Sequence, residues 1–530
     1  MAARSTTRSI GSKDGILLVA MVIALVLLLF GSALYVFLSG GQSASPTQPI
    51  PGPIVATLNL SSKTVGVVPH SFWGLNVRAD LAPTPAMLSF VTSTPVNTFR
   101  WPGGNLAERY NMTSNGGAGL IYNDDGSTST PGWTTAEFVT WCESINCQAI
   151  ITVPAEIDNP AVAASFVEYV EITLGFHPAY WEIGNEPDLW THFGVPWNHW
   201  TTLQQIGATP SEFAGVVHSY IAAMKGVDPD IRFIGLGGVG GAGGEAAWLS
   251  AVVGENGPNL TAIALHYYPA GSGSPGESDT TIYSTVNGAN SLPVRFARDS
   301  TQIRSACPVC NIRIIVDEFS AGSGNNMSAF MSGFLLVPFI TAELEQGIYL
   351  NLSTMSLWVL ENTNSGAMFD TSGNAHPVSL LYSEILSQLA PDVLHLTVST
   401  TLPDLFALAT ENHSISPITT LLIANLNTTY PASIQLAGSG FPTSSPGTVL
   451  LWTPSTSVPQ SLSLSSSSEW ILPPESIGLW IADADVSAAS HAPHAGTPPS
   501  LGAMQDQSAM YGTAVNCCQL AVPMRTEVSS

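Results

Sequence analysis

The strongest constraint on the fold is an alternation of short apolar strands with helical stretches along the middle of the chain. The helical stretches include residues 159–173, 210–226 and 327–346. Eight strands that alternate with helices predict a (β/α)₈ TIM barrel, although a doubly wound open sheet would give a similar alternation. The predicted strands are residues 72–77, 97–101, 149–154, 180–184, 231–236, 262–266, 312–316 and 356–360.

The C-terminal part of the chain has a different pattern. From about residue 391 to residue 484, strand-like runs follow one another with turn residues between them and no helical period. This pattern predicts a β-sandwich. A single strand-like run at 55–60 precedes the barrel, and we expect it to pair into the same sandwich. The predicted domains are therefore an N-terminal sandwich strand in 54–70, a barrel in 71–390 and a sandwich in 391–484.

The N-terminal segment predicts a membrane anchor. Residues 15–40 carry no charge and are mostly apolar. About 20 apolar residues suffice for a helix to cross the hydrocarbon of a bilayer, so this run predicts a transmembrane helix or uncleaved signal anchor. Arg4, Arg8 and Lys13 precede it, and positive charges favour the cytoplasmic side. We therefore expect residues 1–14 in the cytoplasm and the folded domains outside the cell membrane.

Two further segments fall outside the predicted domains. Residues 41–53 are rich in Ser, Pro and Gly and predict a linker. They include Ser43-Ala44-Ser45, which resembles a signal-peptidase site, so cleavage and secretion stay open. Residues 485–530 lack apolar periodicity and predict a disordered tail.

The charge balance excludes nucleic-acid binding. The chain has 14 basic and 38 acidic residues, which give a net charge of -24. Binding to nucleic acid needs clustered Lys and Arg side chains to neutralise phosphates, and this chain lacks them. Charged residues make up only 10% of the sequence, which suits a secreted or surface-displayed protein.

Two of the cysteine pairs among the six cysteines have a spacing that permits a short-loop disulfide. Cys142 and Cys147 form one pair, and Cys307 and Cys310 form the other. Short-loop disulfides and free thiols are both compatible with this spacing. Zinc-ligand spacing is absent, because the pairs are far apart and have no histidine nearby. The sequence implies no metal and no organic cofactor.

The most informative local motif is the run Tyr-Trp-Glu-Ile-Gly-Asn-Glu-Pro-Asp at residues 180–188. An apolar strand ends there and an Asn-Glu-Pro turn follows. In a barrel, this turn places Asn185 and Glu186 at the C-terminal rim, where barrel active sites are built. A carboxyl at that position can act as a general acid that protonates a leaving oxygen.

A second apolar strand also ends in carboxylates. Residues 312–316 are followed by Asp317 and Glu318. Side chains alternate between the two faces of a strand, so only one of these neighbours is expected to point into the barrel mouth. Hydrolysis of a glycosidic bond needs two carboxyls across that bond. The strand count places Glu186 and Glu318 on the fourth and seventh strands, whose ends face each other across the mouth.

These motifs resemble glycoside hydrolase family 79, which includes β-glucuronidases and heparanase. The run Trp-Glu-Ile-Gly-Asn-Glu-Pro at 181–187 is similar to the acid/base motif of clan A retaining glycosidases. The run Phe-Arg-Trp-Pro-Gly-Gly-Asn at 99–105 and the run His-Tyr-Tyr at 266–268 carry the family resemblance. The resemblance covers about residues 54–484 and implies a catalytic barrel with a sandwich built from both chain ends.

The resemblance implies a role for each matching residue. Glu186 would be the general acid/base and Glu318 the nucleophile. Asn185 would bind the sugar 2-hydroxyl, and Tyr267 would hold the nucleophile in position. The remaining implied substrate-binding residues are Gly104, Asn105 and His266.

One segment departs from the family pattern. Family members recognise the uronic carboxylate with a Tyr and Gly backbone amides shortly after the nucleophile, and no Tyr lies in residues 319–325 here. Gly322 and Gly324 can still offer backbone N–H groups to an anion. Trp73 and Trp358, at predicted strand ends, are candidates to stack on a sugar ring.

The sequence therefore predicts an exo-acting retaining glycosidase that cleaves β-glucuronides by a double displacement. Its partners would be a carbohydrate substrate and the membrane. Retaining hydrolysis of a neutral glycoside, such as a glucoside, xyloside or arabinofuranoside, is the first alternative. A non-catalytic surface protein that binds carbohydrate is the second.

Overall fold

The computed structural model describes most of the chain between residues 52 and 482. The predicted anchor at 15–40, the predicted helix at 327–346 and the predicted tail at 485–530 lie outside this described part. No helix within it is both long and apolar enough to cross a membrane. The described ranges are 52–123, 127–190, 209–239, 245–268, 291–320, 354–360, 362, 367–412, 418–438, 447–453, 458–464 and 469–482.

Eight parallel strands close into a barrel in the order in which they occur along the chain. The first pairs with the last, because Trp73 aligns with Met355. Closure confirms the predicted TIM barrel and excludes the open sheet. The strands are β2 (Trp73–Asn76), β3 (Thr98–Trp101), β7 (Gln148–Val153), β8 (Tyr180–Ile183), β9 (Phe233–Gly237), β10 (Leu260–Tyr267), β11 (Arg313–Phe319) and β12 (Met355–Leu357).

Helices alternate with the barrel strands in the described part of the chain. Several helices begin after a threonine whose side-chain oxygen accepts a hydrogen bond from a free backbone N–H of the first turn. This threonine is followed directly by proline, or by glutamate three residues later, or by both. The Thr134 hydroxyl accepts from the Glu137 N–H at 3.2 Å, and the Glu137 carboxylate accepts in return from the Thr134 N–H at 2.8 Å. The helices are α1 (Pro85–Ser93), α2 (Thr135–Ser144), α3 (Pro160–Val167), α4 (Pro210–Lys225), α5 (Glu245–Asn256), α6 (Leu292–Ala306) and α7 (Pro377–Gln388).

Shorter elements occupy the connections. A π-helical turn (Glu168–Thr173) continues α3. Single 3₁₀ turns lie at Gly104–Arg109, Asn115–Gly117, Pro187–Leu189 and Gly257–Asn259. The connection between β3 and α2 holds a small antiparallel sheet of β4 (Tyr110–Asn111), β5 (Leu120–Tyr122) and β6 (Thr128–Ser129).

The inside of the barrel changes from apolar to polar along the strands. Side chains two residues apart on one strand share a face. On β8, Tyr180 belongs to a buried apolar cluster, and Glu182, two residues further on, is fully buried among charged groups. On β11, Ile315 and Asp317 repeat this arrangement. The carboxyl half of the barrel interior is therefore lined by ionisable side chains that require partners.

The predicted sandwich is confirmed as a nine-stranded sheet that includes the N-terminal strand, as expected. Strand β1 (Ile54–Val67) pairs antiparallel with β13 (Asp392–Thr400) and parallel with β16 (Ala432–Ala437). The other strands are β14 (Leu405–Asn412), β15 (Ile418–Asn425), β17 (Gly447–Trp452), β18 (Gln460–Leu464), β19 (Glu469–Leu472) and β20 (Ser476–Ala482).

The two faces of this sheet bury different cores. On β15, Leu422 and Ala424 join the apolar core that surrounds the barrel. Leu421 and Ile423 point the other way, into a second core with Leu58 of β1. The sheet therefore packs against the barrel with one face and curls around its own core with the other.

The two cysteine pairs form disulfides. Cys142, at the end of α2, is bonded to Cys147, and Cys307 is bonded to Cys310 after α6. The spacing permits either disulfides or free thiols, and the structure contains the disulfides.

Candidate active site

The Asn-Glu-Pro turn follows β8 and brings Glu186 to the rim of the barrel. Gly184 and Glu186 both adopt positive φ, 73° and 43°. A non-glycine residue in this left-handed region is strained, and such residues cluster at functional sites. The Glu186 N–H donates to the Gly237 carbonyl of β9 at 2.9 Å, and the Trp190 indole donates to the Asn185 carbonyl at 2.8 Å. These bonds hold the turn in its strained conformation.

A β-bulge at the end of β11 places two neighbouring carboxylates inside the barrel. In the pairing with β10, Leu265 aligns with Val316 but His266 aligns with Glu318, so Asp317 is an extra residue. A bulge interrupts the strict alternation of side chains. Asp317 and Glu318 both contact Arg100, at 3.1 and 2.8 Å. The expectation that only one of them faces inward was therefore wrong.

Glu186 and Glu318 meet across the barrel mouth. One carboxylate oxygen of each lies within 4.8 Å of the other and of a ring nitrogen of His266. Both residues are largely buried, with exposed fractions of 9% for Glu186 and 4% for Glu318. Carboxyl groups about 5–5.5 Å apart are typical of retaining glycosidases, whereas inverting enzymes leave about 6.5–9.5 Å for a water molecule. The limit of 4.8 Å between the nearest oxygens lies below the separation that is typical of inverting enzymes.

Arg100 is the buried cation that neutralises this end of the barrel. It has no exposed surface. Its guanidinium donates to Glu182 at 2.6 Å, to Glu318 at 2.8 Å and to the Asn185 side-chain oxygen at 2.7 Å. The side-chain oxygen of Asn76 accepts from it at 3.2 Å. A planar group with five N–H donors can serve this many acceptors at once.

His266 lies between the two rim carboxylates and a deeper one. Its Nδ1 is 2.9 Å from Glu186 and 3.3 Å from Glu318, and its Nε2 is 3.4 Å from Asp317. Burial alone would lower the pKa of His266, but the charges of Glu318 and Asp317 outweigh it and raise the pKa well above its usual value. The surrounding carboxylates therefore favour the protonated imidazolium form of His266 at neutral pH.

Glu318 is surrounded by hydrogen-bond donors. The Tyr268 hydroxyl donates to it at 2.7 Å and Arg100 donates at 2.8 Å, and the His266 Nδ1 lies 3.3 Å away as an ion-pair partner. Burial raises the pKa of Glu318 above its usual value, although the charges of His266 and Arg100 oppose that rise. Burial and the Glu318 charge raise the pKa of Tyr268 well above its usual value, so this hydroxyl keeps its proton and remains a donor. These two hydrogen bonds and the His266 contact favour the ionised carboxylate and limit the rise in pKa that burial causes.

Beneath these groups, Glu182 and Asp317 form a buried acid pair. Burial, reinforced by Asp317, raises the pKa of Glu182 well above its usual value, although Arg100 opposes this. Burial would also raise the pKa of Asp317, but Arg100, Glu182 and His266 together lower it. These opposite pKa directions make Glu182 the protonated member of the pair and Asp317 the ionised one. Glu182 also accepts a hydrogen bond from the Thr152 hydroxyl at 2.6 Å. Protonation of one member limits the negative charge that is buried here.

Glu108 supports the rim from the neighbouring loop. Its carboxylate accepts backbone N–H groups from Asn185 at 2.7 Å and from Ala155 and Glu156 at 2.8 Å each. Burial and the nearby Glu156 raise the pKa of Glu108 to about 8, against the effect of the three N–H donors. Glu108 thereby ties the ends of β7 and β8 together.

The predicted substrate-binding residues Asn105, Gly104 and Trp358 lie beside the carboxylates. The Asn185 side chain donates to Asn105 at 2.7 Å. Gly104 has φ of 50°, and a Cβ there would overlap the Trp358 ring and lie 3.1 Å from Glu318. Glycine therefore leaves room for the indole close to Glu318, where Trp358 can contact a sugar.

Two other predicted residues lie away from the site, and two lie outside the described part of the chain. Tyr267 points away from Glu318, with its ring 5.4 Å from the Arg295 guanidinium, because side chains alternate along β10 and Tyr268 takes the inward position. Trp73 begins β2, so it lies at the amino end of the barrel, against Phe72. The expectations for Tyr267 and Trp73 are corrected accordingly. Gly322 and Gly324 lie outside the described residues.

Several site residues were missed by the sequence reasoning. Asn76 and Arg100 lie near the ends of β2 and β3, and Arg100 lies inside the Phe-Arg-Trp-Pro-Gly-Gly-Asn run. A basic residue within a strand of the barrel, in a chain with 14 basic residues, was an available signal. Asp317 was considered only as a rival of Glu318, and the structure gives it a separate contact with Arg100. No such signal marks Glu108, because its partners are backbone groups that only the folded chain brings near.

The comparisons with known proteins show the fold. No protein-family model and no curated protein sequence matches this chain. Among solved structures, it resembles an α-L-arabinofuranosidase from Thermotoga maritima in complex with arabinose, with a TM-score of 0.63, 16% identity, and coverage of 81% of this chain and 99% of that one. A family 51 α-L-arabinofuranosidase from Bifidobacterium longum has a TM-score of 0.63 and 16% identity over 82% of this chain and 99% of that one. A bifunctional glucanase-xylanase from a metagenome library has a TM-score of 0.59 and 16% identity over 82% and 100%.

The central position of Arg100 leads to a stability prediction. Arg100→Met should lower the free energy of unfolding at pH 7 by about 3–5 kcal/mol, because it leaves buried carboxylates without their cation. In the variant, these carboxyl groups would have higher pKa values in the folded chain than in the unfolded chain. The folded variant would then be most stable at acid pH, where the carboxyl groups are protonated, and its free energy of unfolding would fall as the pH rises through the raised pKa values. In the wild type, the pKa of Asp317 is lowered, so its contribution to the free energy of unfolding is lost only at acid pH.

Urea unfolding at pH 5 and pH 7 measures both effects. The difference in the free energy of unfolding between the wild type and Arg100→Met should be smaller at pH 5 than at pH 7. Arg313→Met is the matched control, because Arg313 is exposed at the start of β11. Equal losses in the two variants, or a gap that does not change with pH, would contradict the role given to Arg100.

Proposed function

We propose that this protein is a retaining glycoside hydrolase, with Glu186 as the general acid/base and Glu318 as the nucleophile. The observation that carries the proposal is the separation of at most 4.8 Å between their nearest carboxylate oxygens. That distance leaves no space for a water molecule between a sugar and the second carboxylate. The shared fold with glycosidases supports the proposal, because active sites of TIM barrels lie at this end of the strands.

In the first step, Glu318 attacks the anomeric carbon while Glu186 protonates the glycosidic oxygen. The bond to the leaving group breaks, and a covalent glycosyl ester forms on Glu318. Arg100, His266 and Tyr268 hold the attacking carboxylate in position before the reaction, so little reorganisation is needed.

In the second step, Glu186 removes a proton from a water molecule that attacks the same carbon. The ester bond breaks, and the Glu318 carboxylate returns to its donors. Asn185 uses one amide hydrogen for Asn105, and its other amide hydrogen can bind the sugar 2-hydroxyl. Two displacements at one carbon return the original anomeric configuration.

Substitution of the two carboxylates should separate their roles. Glu318→Gly should lower turnover of aryl glycosides by at least about 10³-fold, because no ester can form. Glu186→Ala should lower the turnover of substrates whose leaving group needs a proton by about 10²–10⁴-fold. With a dinitrophenyl leaving group, which needs no proton, Glu186→Ala should still release a burst of phenolate.

Glu168→Gln is the control, because Glu168 is exposed on the π-helical turn away from the site. NMR of the first-formed sugar should show retention. A product of inverted configuration, or substantial activity in Glu318→Gly, would make the assignment wrong.

We propose a neutral sugar as the substrate, and an arabinofuranoside as the first candidate. Glu182, Glu186, Asp317 and Glu318 place four carboxyl groups within this part of the barrel, and Arg100 is already engaged by them. A uronic carboxylate would add a further negative charge to this site. Among the described residues of the site, each cationic side chain already pairs with a carboxylate. The structures with the shared fold are named for arabinofuranosidase and glucanase-xylanase activities, which concern uncharged sugars.

A panel of nitrophenyl glycosides distinguishes these substrates. The kcat/KM should be higher for α-L-arabinofuranoside, β-xyloside or β-glucoside than for β-glucuronide. The family 79 resemblance favours β-glucuronide as the second candidate. Faster cleavage of the glucuronide would exclude the neutral-sugar proposal and leave the two-carboxylate mechanism intact. Binding without turnover of any substrate would favour the carbohydrate-binding alternative.

We also propose that the barrel and sandwich lie outside the cell membrane, tethered through residues 15–40. The two disulfides support this location, because disulfides persist in oxidising compartments. Intact cells treated with protease should lose the full-length chain from the membrane fraction. Protection of the chain in intact cells would exclude the proposal.

A further inference from the structure

A second cluster of ionisable side chains lies at the opposite end of the barrel from Glu186 and Glu318. Glu171 belongs to the π-helical turn after α3, and His177 lies in the connection that leads to β8. Asp228 follows α4 in the connection that leads to β9. Both connections enter the amino ends of their strands, so the cluster is remote from the proposed catalytic pair.

The three side chains converge on one point. One carboxylate oxygen of Glu171, one of Asp228 and a ring nitrogen of His177 all lie within 4.8 Å of one another. The Glu171 side chain is only 2% exposed, yet its Oε2 accepts no hydrogen bond from an N–H or hydroxyl group of the described residues, and the carboxyl group interacts with the Asp228 carboxylate. The His177 Nδ1 is 3.5 Å from that oxygen, which is longer than a good hydrogen bond. A buried carboxylate oxygen without a close partner is costly.

The orientation of both carboxylates is set by other contacts. The Trp181 indole donates to Glu171 Oε1 at 2.7 Å. The Asp230 backbone N–H donates to Asp228 Oδ1 at 2.8 Å. Contacts of this kind hold metal ligands in place and leave the second oxygen of each carboxylate available. The His177 side chain is 71% exposed, so an ion could reach the cluster from solvent and keep water ligands.

We propose that Glu171, His177 and Asp228 form a binding site for a divalent transition-metal ion of the Zn²⁺ type. One imidazole nitrogen and two carboxylate oxygens suit zinc and its neighbours, whereas Mg²⁺ and Ca²⁺ prefer oxygen ligands alone. The ion would join the connection before β8 to the connection before β9 and would replace the missing partner of Glu171 Oε2. Its effect would be on stability, because it stabilises the folded state that presents all three ligands.

Zinc binding to the full chain, after treatment with a chelator, tests the proposal. Isothermal titration should give a site whose Zn²⁺ affinity falls at least tenfold in His177→Ala and in Asp228→Asn. Zinc should raise the thermal unfolding midpoint of the wild type, and this rise should disappear in both variants. Both substitutions are at accessible positions, so the fold should tolerate them. Bound Co²⁺ should give a visible spectrum that His177→Ala changes.

Two matched controls keep the test specific. His218→Ala removes an exposed histidine of α4, and Asp230→Asn changes an exposed neighbour of Asp228. Both should bind Zn²⁺ as the wild type does. Failure of the wild type to bind Zn²⁺, or unchanged affinity in His177→Ala, would overturn the proposal. Equal affinity for Ca²⁺ and Zn²⁺ would also overturn it, since oxygen ligands alone would then account for binding.

Discussion

The ion pairs of Arg100 are the interaction on which the rest of the site depends. Burying one charge in a protein interior costs several kcal/mol, and here a guanidinium without exposed surface contacts Glu182, Asp317 and Glu318. Each group is tolerated only because the others are present. Glu182 keeps its proton, and His266 gains one, which further reduces the buried negative charge. The carboxyl end of the barrel is therefore a single electrostatic unit.

This unit also sets the chemistry that the barrel mouth can perform. In the proposed mechanism Glu318 must be ionised and fixed in direction, and the donors around it favour both conditions. The proposed acid, Glu186, shares His266 with Glu318, whereas the printed ion pairs of Arg100 do not include it. Glu186 projects from a strained turn that is held by its own N–H bond to Gly237 and by the bond from the Trp190 indole to Asn185. Rigid support of this kind is what an active site requires.

Departures from regular structure are where sequence reasoning failed. Alternation along a strand predicted that Asp317 and Glu318 would face opposite ways, and the bulge on β11 turned both inward. A resemblance-based assignment chose Tyr267, and the actual phase of β10 presents Tyr268. Bulges and strand phases depend on pairing with neighbouring strands, which no local run of residues encodes. The position of Trp73 was misjudged for a related reason, since a strand boundary decides which end of the barrel a residue occupies.

The sequence by itself determined the succession of strands and helices and the change to a strand-rich C-terminal part, because periodicity and turn residues are local signals that repeat through the chain. It also indicated the turn that carries Glu186, since glycine permits the positive φ at residue 184 and proline fixes the backbone at residue 187. Only the tertiary structure decided which side chains share the barrel interior, and it alone joined Arg100, His266 and Glu318 from three separate strands. Charges that are far apart in sequence become partners only when barrel closure removes water from around them. The alternation of strands and helices is therefore a property of the sequence, whereas the closure of the barrel and the pairing of its buried charges are properties of the tertiary structure.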